Sequence, residues 1–137
     1  MDSFGILEVS ASALSAQRQR MDAIASNMAN ARSTKSEEGG PYKKREVVFS
    51  TMPIESGPDG SLEGVQVSDV VKENAFQSVY DPGNPDADKK GFVTMPDINV
   101  VEEMVNMMTA YRAYEASVST FNVSKAMLNK ALELGGR

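Results

Sequence analysis

The last third of the chain carries the feature that most restricts its fold, a stripe of apolar residues recurring in alternating steps of four and three. Lys125 is the only charged residue that falls on the stripe. This spacing is typical of a coiled-coil seam, so the sequence predicts a long helix that needs a second helix to cover it. The seam consists of Val100, Met104, Met107, Tyr111, Tyr114, Val118, Phe121, Leu128 and Leu132.

The other end of the chain offers a partner for this helix. Residues 3–31 show apolar side chains spaced by seven, among alanines that allow a neighbouring backbone to approach closely. We therefore expect a second amphipathic helix that packs on the seam. We expect these side chains and the seam to form the subunit interface, with Leu7, Leu14, Met21 and Met28 against Met107, Tyr114, Phe121 and Leu128.

A polar segment follows the first helix and ends in a short basic run. Residues 32–45 contain Gly39-Gly40-Pro41, which breaks a helix, so we expect a loop there. The basic run Lys43 to Arg45 predicts a solvent-exposed stretch, with a contact to an acidic neighbour as the alternative.

The middle of the chain changes to the alternating periodicity of strands. The two clearest strands flank the turn signal Ser56–Gly60, which predicts a β-hairpin with a long tip. A Pro- and Gly-rich connection over 80–91 separates two weaker strand signals. The predicted strands are 47–51, 64–71, 74–80 and 92–95.

These patterns predict a mainly α fold with a small β part. Long N- and C-terminal helices pack as a coiled coil, and a β-hairpin-containing insertion lies between them. Pro96 and the capping-box pattern of Asn99 to Glu102 mark the start of the second helix, and Gly135-Gly136 its end. We expect residues 1–31 and 97–137 to form a helical coiled-coil core domain, and 32–96 to form a loop plus a small β-rich outer domain.

Composition excludes several classes of function. The chain has no Cys and no His, which removes thiol chemistry, histidine-based nucleophile pairs and the commonest metal ligands. The formal net charge of -5 argues against a nucleic-acid binder. No segment has the roughly 20 apolar residues of a membrane span, and the N-terminus does not resemble a cleaved signal peptide. We expect no enzyme activity, no cofactor and no metal.

The spacing of polar residues in the 80–91 connection suggests a calcium loop, but its other positions do not fit one. Asn84, Asp86 and Asp88 are spaced like calcium ligands, but Lys89 and Met95 occupy the positions where an EF-hand loop needs Gly and Glu. That leaves at most a weak cation site.

Glu102 and Glu103 are neighbours on the second predicted helix. They point about 100° apart, so they do not form the carboxylate pair of a hydrolase. We expect both to be solvent-exposed charges that match the helix dipole.

Apolar residues flank the seam and would remain open in a single helix pair, which indicates assembly with further chains. One possibility is a subunit with unlike surfaces that join head to tail into a polymer. The alternative is a soluble cytoplasmic coiled-coil adaptor that forms a closed dimer. The flanking residues are Ala31, Val101, Val105, Met108, Ala110 and Ala113.

Short motifs resemble those of the bacterial flagellar axial proteins, and within them the proximal-rod type. Residues 25–31, ASNMANA, resemble the motif of the N-terminal rod helix, and 111–116, YRAYEA, resemble the C-terminal helix. The segment VYDPGNPDAD at 79–88 is the more specific signal. The motif residues are Ser26, Asn27, Ala29, Asn30, Tyr80, Asp81, Pro82, Gly83, Asn84 and Pro85.

The resemblance implies a structural role in the flagellar basal body. Members of this family stack helically in a rod that crosses the periplasm and carries torque, with their terminal helices in an inner layer and the β part outside. They leave the cell through the flagellar type III export apparatus without signal cleavage. The implied partners are other copies of the chain and rod or adaptor proteins similar to FlgB, FlgF and FliE.

Overall fold

Two long helices at the ends of the chain dominate the computed structural model, which describes residues 3–54 and 62–136. They are α1 (Ser3–Ala29) and α2 (Val100–Gly135), and they pack against each other. A hydrogen bond from Asn27 to Glu103 joins the end of α1 to the beginning of α2. The two helices are therefore antiparallel, and the mainly α architecture with a small β part is confirmed.

The ends of α2 follow from local hydrogen bonding. Asn99 is the N-cap, because its Oδ1 accepts from the backbone N–H groups of Val101 and Glu102 at 3.0 and 3.3 Å. The helix begins at Val100, as the capping-box pattern predicts, because Asn99 still has extended backbone angles with φ −86° and ψ 107°. At the other end Gly136 caps the helix, as predicted.

Four strands separate the helices and form two hairpins rather than one unit. Strands β1 (Lys44–Pro53) and β2 (Glu63–Glu73) pair antiparallel, with an irregularity between Val48 and Phe49, and we call this pair the ribbon. Strands β3 (Phe76–Tyr80) and β4 (Phe92–Pro96) pair antiparallel in a separate sheet. All four predicted strands are present, but the third pairs with the fourth and not with the hairpin. The predicted turn Ser56–Gly60 lies outside the described residues.

The face that α2 turns toward α1 is not the whole predicted seam. Buried and half-buried positions on α2 recur in steps of four and three, as in a seam, but alternate members lie one residue earlier than predicted. Small side chains occupy three of these members, and they allow the two backbones to approach more closely than Met or Tyr would. The contact face consists of Glu103, Met107, Ala110, Tyr114, Ser117, Phe121, Ser124 and Leu128.

The apolar core of the described residues is small and lies where several segments meet. Ala31, Tyr42 and Ile98 form a buried cluster that joins the end of α1, the following loop and the approach to α2. Ile54, which directly follows β1, and Val93, the second residue of β4, are each 1% exposed. With so little apolar core, polar contacts carry much of the docking between helices and strands.

Candidate functional site

The predicted interface residues fall into two groups in the structure. One group is half-buried and lies on α1 and on the contact face of α2, with Val118 beside that face. It consists of Leu7, Leu14, Met21, Met28, Met107, Tyr114, Val118, Phe121 and Leu128. The other group, Val100, Met104, Tyr111 and Leu132, is 41–64% exposed. The single chain thus covers one half of the seam and leaves the other half to solvent.

Met104 and Tyr111 of this exposed group belong to a larger apolar surface, which we call the outer stripe. It consists of Val101, Met104, Val105, Met108 and Tyr111, each 51–68% exposed. Contiguous exposed apolar side chains of this kind mark surfaces that bind another protein. Of the residues predicted to flank the seam, Ala31 and Ala110 are instead buried within the chain and Ala113 is half-buried, so those three belong to the fold.

The C-terminal end of α2 extends past α1. Residues 129–136 are all exposed, and Leu132 and Leu134 are each 64% exposed. The cause is length, because α2 has 36 residues and α1 has 27, a difference of about 13 Å at 1.5 Å per residue. This overhang adds a second apolar surface that the chain does not cover itself.

The rod motif of α1 contributes a buried amide that joins three segments. Asn27 is 1% exposed, and its Nδ2 donates to the Arg45 carbonyl at 2.9 Å and to Glu103 Oε2 at 3.1 Å. Its Oδ1 accepts from the Arg45 N–H and from the Tyr42 hydroxyl, both at 2.9 Å. All four hydrogen-bonding valences of the amide are satisfied within the chain. Asn27 therefore ties α1 to β1 and α2 at a single point.

The prediction that Glu103 is a solvent-exposed charge is wrong. Glu103 is 2% exposed, and besides Asn27 it pairs with Lys44, whose Nζ lies 3.4 Å from Oε1. Burial by itself lowers the pKa of the Lys44 ammonium, but the combined attraction of Glu103, Glu73 and Glu102 outweighs burial and leaves the pKa above its ordinary value of 10.5. A buried carboxylate needs such partners, which hydropathy patterns do not reveal.

The basic run is also more structured than predicted. Lys44 and Arg45 are the first residues of β1, not part of a loop, and Arg45 stacks over the Tyr42 ring at 5.6 Å. Lys43 and Arg45 line a polar cleft of about 310 Å³ with Lys35 and Glu38. The cleft is open, and side chains of both charge signs line it.

The polar residues of the 79–88 motif make hydrogen bonds and an ion pair that stabilise the β3–β4 loop. Asp86 accepts from the Thr34 hydroxyl at 2.7 Å and pairs with Lys35 at 2.8 Å, which fastens the β3–β4 loop to the loop after α1. Hydrogen bonds from Lys35 and Thr34 lower the pKa of Asp86 below its ordinary value. Asn84 and Asp88 accept from backbone N–H groups of the same loop. Among the described residues no cluster of three or more acidic side chains is placed to hold a metal ion.

Tyr80 and Gly91 close the base of this loop. The Tyr80 ring meets Phe92 edge-on, with centroids 5.3 Å apart. Gly91 has a φ of +85°, and a Cβ there would lie 2.9 Å from the Tyr80 ring. The glycine is thus required by both its backbone conformation and its close neighbour.

Neither described helix is long and apolar enough to cross a membrane.

Family models for flagellar rod proteins match segments at both ends of the chain. Residues 7–34 match the model for the flagella basal body rod protein, and residues 89–134 match that for the flagellar basal body rod FlgEFG protein C-terminal region. These two segments contain Asn27 and Glu103, the partners in the buried contact between the helices.

Curated relatives match nearly the whole chain. A flagellar basal-body rod protein FlgC of Escherichia coli O6:H1 is 46% identical over 131 residues, which cover 95% of this chain and 96% of the relative. The FlgC proteins of Aquifex aeolicus and Bacillus subtilis are 41% and 40% identical, and each alignment covers at least 97% of both chains. The chain therefore belongs to the FlgC family of flagellar basal-body rod proteins, which are structural subunits and not enzymes.

Proposed function

We propose that this rod protein polymerises helically in the proximal rod through its terminal helices and transmits torque across the periplasm. In the assembled rod, 1–31 and 97–137 form an inner coiled-coil layer, and 32–96 forms the outer part. The observation that carries the proposal is the outer stripe, because it leaves apolar side chains of α2 exposed beside a helix contact that is already filled.

Mechanical load passes through many helix contacts of modest individual strength. In a coiled coil each seam side chain sits in a hole formed by four residues of the facing helix, so axial slip would lift these side chains out of their holes and the seam resists it. The partners we propose are other copies of the chain, FlgB-, FlgF- and FliE-like rod proteins, and the flagellar export apparatus during transit. The proposed location is the periplasmic rod, reached without cleavage of a signal peptide.

Charge substitution in the outer stripe tests the proposal. Val105 and Met108 are each 56% exposed, so Val105→Glu and Met108→Glu leave the packing of the monomer in place. We expect both variants to keep the helical content of the parent protein but to lose rod assembly and motility, since an unpaired carboxylate becomes buried at the subunit contact. Thr120→Glu is the matched control, because Thr120 is exposed on another side of α2.

Motility in the Val105→Glu and Met108→Glu strains equal to that of the Thr120→Glu strain would refute this role for the outer stripe. The alternative function, a closed dimer that acts as a soluble adaptor, makes a different prediction for the purified parent protein. Sedimentation equilibrium would then show one dimeric species over a wide concentration range, and rod partners would not extend it.

A further inference from the structure

Within residues 3–54 and 62–136, polar contacts join the ribbon to α1 at two widely separated points. At one point the Ser12 hydroxyl accepts from the Val65 N–H at 3.1 Å while it donates to the Val9 carbonyl at 2.7 Å. Gly64 permits this approach, because a Cβ there would lie 2.7 Å from Ser12 Oγ. At the other point Asn27 binds both the N–H and the C=O of Arg45.

The two attachment points have matching spacing on the helix and on the ribbon. Ser12 and Asn27 are separated by about 22 Å along α1 at 1.5 Å per residue. Val65 and Lys72, which pairs with Arg45, are separated by about 24 Å along β2 at 3.4 Å per residue. Because these lengths agree, the ribbon lies along α1 and is held near each of its described ends.

The Asn27 attachment takes the form of a strand pairing. In an antiparallel ladder the N–H and C=O of one residue point to the same side, so the Asn27 amide occupies the place that a third strand would take beside Arg45. Tyr42 and Glu103 bind the remaining valences of the amide and fix which end is oxygen and which is nitrogen. The amide therefore has one orientation, set by residues from α2 and from the loop.

We propose that Ser12 and Asn27 are positioning residues that set the angle of the ribbon against the helix pair. With both contacts in place, the ribbon cannot pivot about either one. Each subunit then presents its ribbon and its outer stripe in one fixed relation, which a helical polymer of identical contacts requires. This last consequence rests on the proposed function, whereas the fixed angle is a property of the single chain.

Spin-label distances test the fixed angle directly, and the absence of native Cys allows labels at chosen sites. Glu46 and Thr51 are exposed at the Asn27 and Ser12 ends of the ribbon, and Thr120 is an exposed reference on α2. We expect a narrow distance distribution for the Glu46–Thr120 and the Thr51–Thr120 pairs in the otherwise unmodified full chain.

Two variants release opposite ends of the ribbon. Asn27→Asp places a carboxylate oxygen against the Arg45 carbonyl and against Glu103, and we expect the Glu46–Thr120 distribution to lose its single narrow maximum while the Thr51–Thr120 distribution keeps it. Ser12→Ala removes the acceptor of the Val65 N–H without adding bulk, so we expect the reverse pattern. The matched control is Asn30→Asp, in the same motif, where the side-chain amide donates to the Ser26 carbonyl at 2.8 Å and, among the described residues, makes no hydrogen bond to the ribbon.

The outcomes separate this proposal from the proposed function. Unchanged distributions in folded Asn27→Asp and Ser12→Ala chains, or equal broadening at both ends, would overturn the fixed angle. Wild-type co-assembly with rod partners despite broadening at one end would overturn its role in assembly. If the parent protein itself does not co-assemble, the proposed function fails, and the distances still decide whether Ser12 and Asn27 set the angle.

Discussion

Replacement of Glu103 by Ala tests whether the buried polar contact stabilises the fold. The variant removes the acceptor of Asn27 Nδ2, 3.1 Å away, and the anionic partner of Lys44, 3.4 Å away. A hydrogen bond to a charged group contributes about 1.5–3 kcal/mol. The Lys44 side chain is 22% exposed to solvent, so its ion pair with Glu103 adds only about 1 kcal/mol. Together these contacts give an expected loss of about 2.5–4 kcal/mol in the free energy of unfolding.

Glu102 provides an internal control for this measurement. It adjoins Glu103 in the first turn of α2 but is exposed, so Glu102→Ala removes the same favourable dipole interaction without the buried contacts. We expect Glu102→Ala to cost about 0.5 kcal/mol or less, as surface substitutions usually do. The difference between the two variants isolates the contribution of the contacts with Asn27 and Lys44.

Urea unfolding followed by circular dichroism at the helix band measures both variants, and thermal unfolding gives an independent value. At about 2.1 cal/mol/K per residue, a loss of about 2.5–4 kcal/mol lowers the Tm of a chain of 137 residues by about 9–14 °C. The Glu103→Ala effect should persist at high salt, since buried pairs are screened weakly. Equal losses for Glu102→Ala and Glu103→Ala would refute the argument that burial makes Glu103 a structural residue.

Two further predictions concern close packing and pH. Gly64→Ala places a Cβ 2.7 Å from Ser12 Oγ, and we expect a loss of about 1–3 kcal/mol in urea unfolding, whereas Gly83→Ala, whose nearest atom is at 3.8 Å, should unfold like the parent protein. The depressed pKa of Asp86 stabilises the fold above its ordinary value of 3.8, and this contribution is lost as the pH falls through the lower folded value. Asp86→Asn should therefore show a smaller loss of stability on acidification than the parent protein, in urea titrations repeated from neutral pH downward.

Apolar periodicity, capping residues and helix-ending glycines predicted the helices and strands of this fold. These signals succeeded because each depends only on local sequence. The alternation around β1 and β2, the N-cap at Asn99 and the glycines after α2 each act over a few residues, and each prediction is confirmed within a few positions. The resemblance of the terminal motifs to rod proteins is confirmed by relatives that match almost the whole chain.

Which residues of α2 face α1, and which strands pair, depends on contacts between residues that are distant in sequence. The hydropathy pattern did not reveal these contacts. Hydropathy selected Met104 and Tyr111 for the seam, but α2 turns Ala110 and Ser117 toward α1, because small side chains allow closer packing of the two backbones. The third strand likewise pairs with the fourth and not with the ribbon.

The buried polar residues show the same division most clearly. By itself the sequence determined that Asn27 belongs to a recognisable helix motif and that Glu103 lies near the start of a helix. Only the tertiary structure brought the two side chains within 3.1 Å and placed the backbone of Arg45 beside the Asn27 amide. The physical reason is that local propensities act over one or two turns of chain, whereas the cost of burying a charge depends on partners that arrive only when the helices and the ribbon pack.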